Sequence, residues 1–246
     1  MKIILNGACG RMGQEVINAI AQSGGKDEIV AAVDITAAQT GCPFYPSLDQ
    51  VEAEADVLID FSHHAATDSV LAFAIDRHIP TVIATTGQTE QEKNAIEQAA
   101  KKIPLFYSGN MSIGIALLVS LVKTAIQTFP DADVEIVETH HNQKLDVPSG
   151  TALMLAQGIE QARQSSTICV GRHQNGKRPA GEIGIHSVRM GKIVGIHEVH
   201  INTGSQTLTL KHEAHSRALF AEGALQAASF LKQQPTGLYS VSDLFN

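Results

Sequence analysis

The first thirty-four residues constrain the fold more than any other stretch. Lys2-Ile3-Ile4-Leu5-Asn6 is a short apolar run of the kind buried on both faces of a parallel sheet. Gly7-Ala8-Cys9-Gly10-Arg11-Met12-Gly13 follows, and Gln14 to Gln22 then carries Val16, Ile17 and Ile20 at helical spacing. A second apolar run, Ile29 to Val33, ends in Asp34. That acid lies about 20 residues past the glycines, the separation of a carboxylate that accepts ribose hydroxyls. Strand, glycine turn, helix, strand and acid together are the setting of a dinucleotide fingerprint. The spacing is Gly-x-x-Gly-x-x-Gly rather than Gly-x-Gly-x-x-Gly, so a tight turn without a ligand is the competing reading.

The βα alternation continues. Val57 to Phe61 precedes a helical pattern over Ala65–His78, and Thr81 to Gly87 precedes an amphipathic one over Glu90–Lys102. Leu105-Phe106-Tyr107 is a further strand, ending in Ser108-Gly109-Asn110-Met111. Residues 36–55, punctuated by Gly41, Pro43 and Pro46, are expected to be irregular. His63 and His64, at a strand's carboxyl end, read as loop or helix-cap residues. Residues 1–111 therefore form an α/β domain with a Rossmann-like, doubly wound parallel sheet.

From Ser112 the pattern changes. Ser112 to Phe129 is a helix apolar on nearly all sides and is expected to be buried. Strands are expected at Thr167–Val170, Ile183–Arg189, Lys192–Ile201 and Gln206–Lys211, with hairpin-like connections at Met190-Gly191 and Asn202 to Ser205. Residues 112–216 thus make an α+β domain with a mixed or antiparallel sheet. The glycine-bearing loop Arg172–Gly184 is the expected mobile segment, and a helix over Phe220–Gln233 brings 217–246 back onto the first domain.

The chemistry concentrates in Glu138 to Ala152. Val134 to Val137 reads as a strand, and Thr151 to Arg163 as a helix with Leu153, Leu155, Ala156 and Ile159 on its apolar side. Ser149 suits the N-cap, and Gly150 leaves the helix's first N–H groups accessible to an anion. Lys144 adds positive charge, and His140 and His141 add groups that titrate near neutrality. The stretch reads as a carboxylate or phosphate receptor beside a proton donor; a polar strand–helix connection is the plainer alternative.

A net charge of −7 and the lack of a basic tract argue against a nucleic-acid protein. Cys9, Cys42 and Cys169 have no metal or redox spacing, which fits a reducing cytosol. The apolar segment Ile113–Ile126 is broken by Ser120 and Lys123, too short for a membrane span. A soluble, cytoplasmic protein is expected. His197-Glu198-Val199-His200 lacks the helical His-Glu-x-x-His spacing of a zinc site, and its histidines face opposite ways in a strand, so no metal is expected.

With these residues in view, the sequence resembles the 4-hydroxy-tetrahydrodipicolinate reductase (dihydrodipicolinate reductase) family of bacterial lysine and diaminopimelate synthesis. The likeness runs end to end, through the glycine turn, Ala84-Thr85-Thr86-Gly87, Gly109-Asn110-Met111-Ser112, Gly195-Ile196-His197-Glu198 and Phe220-Ala221-Glu222-Gly223-Ala224. Its specific part is His140-His141 through Lys144 and Asp146 to Pro148-Ser149-Gly150-Thr151-Ala152. The resemblance implies hydride transfer from NADH or NADPH to a cyclic dicarboxylate, with His140 and Lys144 catalytic. It implies that His141, Lys144, Ser149, Gly150 and Thr151 bind that substrate. The cofactor would lie on Gly7, Ala8, Cys9, Gly10, Arg11, Met12, Asp34, Ala84, Thr85, Thr86, Ser108, Gly109, Asn110 and Met111. A homotetramer built through the second domain's sheet is also implied.

Two departures bear on the cofactor. Ile35 stands where some relatives carry an arginine able to pair with a 2′-phosphate, and 35–40 holds no basic residue, so NADH is expected to serve at least as well as NADPH. Met111 stands where some members have an aromatic residue beside the nicotinamide, which puts stacking in doubt. The alternatives weighed are another nicotinamide dehydrogenase for amino or dicarboxylic acids, and a catalytically silent dinucleotide sensor. Neither has a reason to keep the histidine–lysine–serine–glycine–threonine block.

Overall fold

The structure is a computed structural model that describes residues 1–36 and 41–245. In chain order its elements begin with β1 (Lys2–Asn6), α1 (Arg11–Gln22), β2 (Glu28–Val33), β3 (Phe44–Tyr45) and β4 (Val57–Asp60). Next come α2 (Thr67–Asp76), β5 (Thr81–Ile83), α3 (Glu90–Ala99), β6 (Pro104–Tyr107), α4 (Ile113–Thr128) and β7 (Asp133–His140). The chain closes with α5 (Gly150–Ala162), β8 (Thr167–Val170), β9 (Glu182–Arg189), β10 (Gly195–Asn202), β11 (Thr207–Ala214), α6 (Ala218–Leu231) and β12 (Gly237–Tyr239). Two compact units result, Met1–Ile113 with Arg217–Asn246, and Gly114–Ser216.

The first unit is a seven-stranded sheet in the order β12-β6-β5-β4-β1-β2-β3, with every pair parallel. Central β1 and β4 are buried on both faces, which is why they read as unbroken apolar runs. Because the strands are parallel, the loops after β1, β2, β4, β5 and β6 share one edge, where open α/β sheets take their ligands. Gly7 holds φ at 78°, and a Cβ there would lie 2.6 Å from the Phe61 carbonyl. A Cβ on Gly13 would come within 2.3 Å of the Gly7 oxygen, so α1 rests directly on the turn. In α6, Ala221, Gly223, Ala224, Ala227 and Ala228 form a small-residue face that packs on α1 and on β4, β5 and β6.

Two strands lie where none was expected. β3 falls inside the segment read as irregular, and β12 adds a parallel edge strand beside β6. Both are too short to show a period of their own, and only the pairing partner defines them. Residues 37–40, part of the stretch used for the cofactor expectation, lie outside the described residues.

The second unit is a mixed sheet in the order β11-β10-β7-β9-β8, parallel across β7, β9 and β8 and antiparallel across β7, β10 and β11. Alternation in β7 turns Val134 and Ile136 toward a core made with Ile183, Ile185, Val199 and Ile201 and with helices α4 and α5. The expected hairpin at Met190-Gly191 is not one: β7 lies between β9 and β10, and only Asn202 to Ser205 joins paired strands. The turn signal is local, whereas the partner of β9 is decided by apolar registry with β7. Helix α4 is also less enclosed than its composition implied, since it covers one sheet face and leaves Leu117 and Leu121 exposed. The loop expected to be mobile carries Arg178, which pairs with Asp133 (3.0 Å) and Glu135 and bonds the carbonyls of Val134 and Glu182.

Candidate active site

In the second unit the site begins with alternation along β7. Glu138 and His140 are two apart, so both point to the core side, where β7 ends against the start of α5. Glu138 is fully buried, and its carboxylate takes Arg189 from β9 in a two-pronged pair, 2.8 Å to each oxygen. Oε1 also accepts the Ser149 N–H at 3.1 Å, and Oε2 accepts from His140 Nδ1 at 2.5 Å. Burial alone would raise this carboxyl's pKa, but the bonds from His140, Arg189 and Ser149 outweigh it and hold the group far below its ordinary 4.5. An acceptor so engaged fixes a proton of His140 on Nδ1, and Nε2 is the ring nitrogen turned away from the carboxylate. A Cβ at position 195 would sit 3.0 Å from Nε2, so Gly195 keeps that nitrogen clear.

His197, on β10, completes the cluster. Its ring meets His140 edge-on with centroids 5.1 Å apart, and Nε2 shares a 3.0 Å hydrogen bond with Ser149 Oγ. Ser149 Oγ in turn accepts the Ala152 N–H at 3.2 Å and so caps α5. Burial first, and then the proximity of His140, depress the His197 pKa to about 3, so His197 stays neutral near physiological pH. Gly150 and Thr151 open α5, and a Cβ on Gly150 would meet nothing within 4 Å, so the helix start is accessible. Lys144 is paired with the more exposed Asp146 at 2.8 Å, and the half-buried His141 accepts the Lys144 N–H at 3.1 Å through its carbonyl. Lys144 and His141 therefore sit on the loop ahead of α5, outside the hydrogen-bonded cluster of His140 and Ser149.

Three residues of this cluster carried no role in the sequence reading. Glu138 was legible in principle, since position i+2 on a strand shares a face with His140. Arg189 comes opposite His140 only through the β7–β9 register, which no local pattern reveals. His197 was set aside with the zinc-like motif; His200 does face away from it, yet His197 itself points at the site. Among the described residues no group of three or more His, Cys, Asp or Glu could hold a metal ion.

In the first unit the glycine turn and Asp34 face one cavity of about 850 Å³, bordered by Asn6, Gly7, Gly10 and Asp34. Gly10 caps α1 in extended conformation without a side-chain bond, so the amides of Arg11 and Met12 begin the helix with no competing side-chain acceptor. Asp34 accepts the Cys9 N–H and the Thr36 N–H, each at 2.9 Å, which aims its carboxylate over the turn. Burial and then Asp34 raise the Cys9 thiol, so it is a packing residue rather than a thiolate. Ala8 and Ala84 are buried, Thr86 is exposed, and Thr85 bonds Asp60 at 2.7 Å. After β6, Ser108 Oγ donates to the Asn110 carbonyl at 2.7 Å, and Asn110 Oδ1 accepts the Ser112 N–H at 2.8 Å. Gly109 is exposed, whereas Met111 is buried, its carbonyl held so close to Gly223 that a Cβ there would stand 1.8 Å away.

A glycine cradle that a Cβ would fill, a bare helix start and a strand-end carboxylate fit a dinucleotide. Joined to a unit that presents an imidazole at a second helix start, they define a two-domain, nicotinamide-dependent oxidoreductase. The comparisons give the particular family. Residues 1–111 match the model of the dihydrodipicolinate reductase N-terminus, and 114–245 that of its C-terminus. The chain belongs to the dihydrodipicolinate reductase family. It is 46% identical over 246 residues to the 4-hydroxy-tetrahydrodipicolinate reductase of Caldanaerobacter subterraneus subsp. tengcongensis, covering 99% of this chain and 98% of that protein. The enzyme of that name from Clostridium tetani is 39% identical over 249 residues, covering 100% and 97%. Among solved structures, a dipicolinate-bound dihydrodipicolinate reductase from Paenisporosarcina sp. TG-14 superposes with a TM-score of 0.83 at 26% identity, covering 98% and 97%.

His197 links this geometry to pH. A histidine whose folded pKa lies below its unfolded 6.5 contributes stability that is complete above pH 6.5 and is lost as pH falls toward 3. Urea unfolding of His197→Gln against the unchanged protein is expected to show the gap between them narrowing from pH 7 to pH 4. A gap that widens over that range contradicts the assignment.

Proposed function

We propose that this chain catalyses the NAD(P)H-dependent reduction of 4-hydroxy-tetrahydrodipicolinate to tetrahydrodipicolinate in lysine and diaminopimelate synthesis. The observation that carries the proposal is the Glu138–His140 pair, clamped by Arg189 and placed where α5 begins. Full-length relatives are named for that reaction.

The substrate is a small ring with two carboxylates. The start of α5 at Ser149, Gly150 and Thr151 offers backbone donors and a positive dipole end to one carboxylate. Lys144 and His141, on the preceding loop, are assigned to the substrate's other polar groups. The glycine turn with Asp34, and the loops at 84–86 and 108–111, would hold the dinucleotide. When bound, its reduced nicotinamide supplies the hydride. Over the whole reaction the 4-hydroxyl leaves as water, and hydride addition to the conjugated imine leaves negative charge that a proton must quench. His140 delivers that proton from Nε2, while Glu138 holds Nδ1–H and stabilises the imidazolium beforehand. Lys144 and the helix start favour the developing charge.

NADH is proposed to serve at least as well as NADPH. Asp34 is held by two backbone amides at the ribose position, where a 2′-phosphate would meet its negative charge. Ile35 beside it is exposed and uncharged, and Arg77 on the same cavity is engaged by the Val51 and Ala53 carbonyls. We further infer a homotetramer in which a second copy covers the open sheet face around Val137, Thr139 and Ile196. The proposed compartment is the cytoplasm, consistent with free thiols at Cys9, Cys42 and Cys169. Among the described residues no helix is long and apolar enough to cross a membrane.

His140→Gln is expected to lower kcat by on the order of 10²-fold with little change in NADH affinity; steady-state turnover at the unchanged rate removes His140 from proton delivery. Measured side by side, kcat/KM for NADH is expected to equal or exceed that for NADPH, and a strong NADPH preference refutes the reading of Asp34. Light scattering is expected to give four subunits, and Val137→Asp a smaller species; a monomeric parent protein at micromolar concentration overturns the assembly.

A further inference from the structure

Beneath the dinucleotide loops lies a buried carboxylate with no role in the chemistry above. Asp60, the last residue of β4, is 1% exposed. Its Oδ1 accepts the Asn6 side-chain amide (2.8 Å), the Ser62 N–H (3.2 Å) and the Ser62 hydroxyl (2.6 Å), and Oδ2 accepts the Thr85 hydroxyl (2.7 Å). All four donors are neutral. Burying a carboxylate without a cation is costly, and a network of this kind is tolerated only when fully bonded.

The donors are distributed in a telling way. Asn6 closes β1 immediately before Gly7, Ser62 lies in the loop after β4, and Thr85 stands in the loop after β5. The glycine turn rests on the same spot, since a Cβ on Gly7 would lie 2.6 Å from the Phe61 carbonyl and 2.7 Å from the Ser62 nitrogen. The chain of bonds runs on to β6: buried Gln88 donates to the Thr85 carbonyl at 2.9 Å and accepts the Tyr107 hydroxyl at 3.2 Å. Asn6, Asp60, Thr85, Gln88 and Tyr107 therefore tie together the ends of four neighbouring strands.

We propose that Asp60 is a positioning residue for the dinucleotide, the central acceptor that holds the loops after β1, β4 and β5 in mutual register. This rests on the nicotinamide-dependent reading of the site. Asp60 touches neither reactant; it acts through Asn6 and Thr85, and its geometry matters more than its charge. An asparagine can reproduce the arrangement, with its oxygen toward Asn6 and Ser62 and its amide donating to Thr85, whose hydroxyl then turns to the Asp60 carbonyl 3.3 Å away.

The test uses the full chain, with NADH affinity from nicotinamide fluorescence and pyridine-2,6-dicarboxylate affinity from calorimetry. Asp60→Ala is expected to weaken NADH binding by roughly tenfold or more, as the loops lose their shared acceptor, with dicarboxylate affinity unchanged. Asp60→Asn is expected to stay within about twofold of the parent, if geometry carries the effect. Asn6→Ala is expected to weaken NADH in the same direction, to add nothing in the Asp60→Ala background, and to carry the test if Asp60→Ala does not fold. Parent-like NADH affinity in folded Asp60→Ala, or in Asn6→Ala where Asp60→Ala does not fold, overturns the proposal. So does dicarboxylate affinity that falls in step, or an Asp60→Asn as weak as Asp60→Ala. If the parent itself binds no NADH, the underlying reading fails instead.

Discussion

A carboxylate with no solvent contact, shared between a guanidinium and an imidazole, is the constraint on which the second unit's chemistry depends. Four bonds satisfy Glu138, and they come from three parts of the chain: two from Arg189 on β9, one from the Ser149 amide at the start of α5, and one from His140 on its own strand. Breaking such a pair by removing one partner typically costs about 3–5 kcal/mol, because the other charge is left buried and alone. The same bonds that stabilise the sheet end therefore set the tautomer and direction of His140. One side chain thus holds the strand end and, in the proposed mechanism, orients the proton donor, and Ser149 extends the linkage by capping α5 while contacting His197.

The first unit solves a comparable problem with neutral donors. Its glycine turn is packed so tightly against the Phe61–Ser62 backbone and against α1 that neither Gly7 nor Gly13 has room for a methyl group. Asp34 is oriented by two amides and Asp60 by four side-chain and backbone donors. Each unit thus fixes the direction of its key acidic group before any ligand arrives, which lowers the ordering cost of binding. Each unit also presents a helix start, α5 opening at Gly150 in the second and α1 following the glycine turn in the first.

The parallel sheet was legible because β1, β2 and β4 are buried on both faces and leave apolar runs with glycine or acid at their ends. His140, Lys144, Ser149, Gly150 and Thr151 were legible as chemistry because they crowd into one loop and a helix start. What escaped was set by pairing over long sequence distances. The short strands β3 and β12 have no period to read, β7 enters between β9 and β10 against the local turn signal, and Arg189 meets Glu138 only through that register. His197 was hidden for another reason: it was dismissed together with His200 as a false zinc signature, although a strand sends the two apart and only His197 faces the cluster. Family resemblance named a role for His140, but the acid that holds it had to come from the fold.

In the proposed mechanism Glu138 holds the His140 Nδ1–H, so the proton exchanged beside a dicarboxylate at the start of α5 is the one on Nε2. Nitrogen-15 NMR of the imidazoles, with and without saturating pyridine-2,6-dicarboxylate, tests it most directly. The expected spectrum shows His140 protonated at Nδ1 in the free protein, with Nε2 the nitrogen that shifts when the dicarboxylate binds. A proton resident on Nε2, with a bare Nδ1 and no response to the ligand, would contradict it.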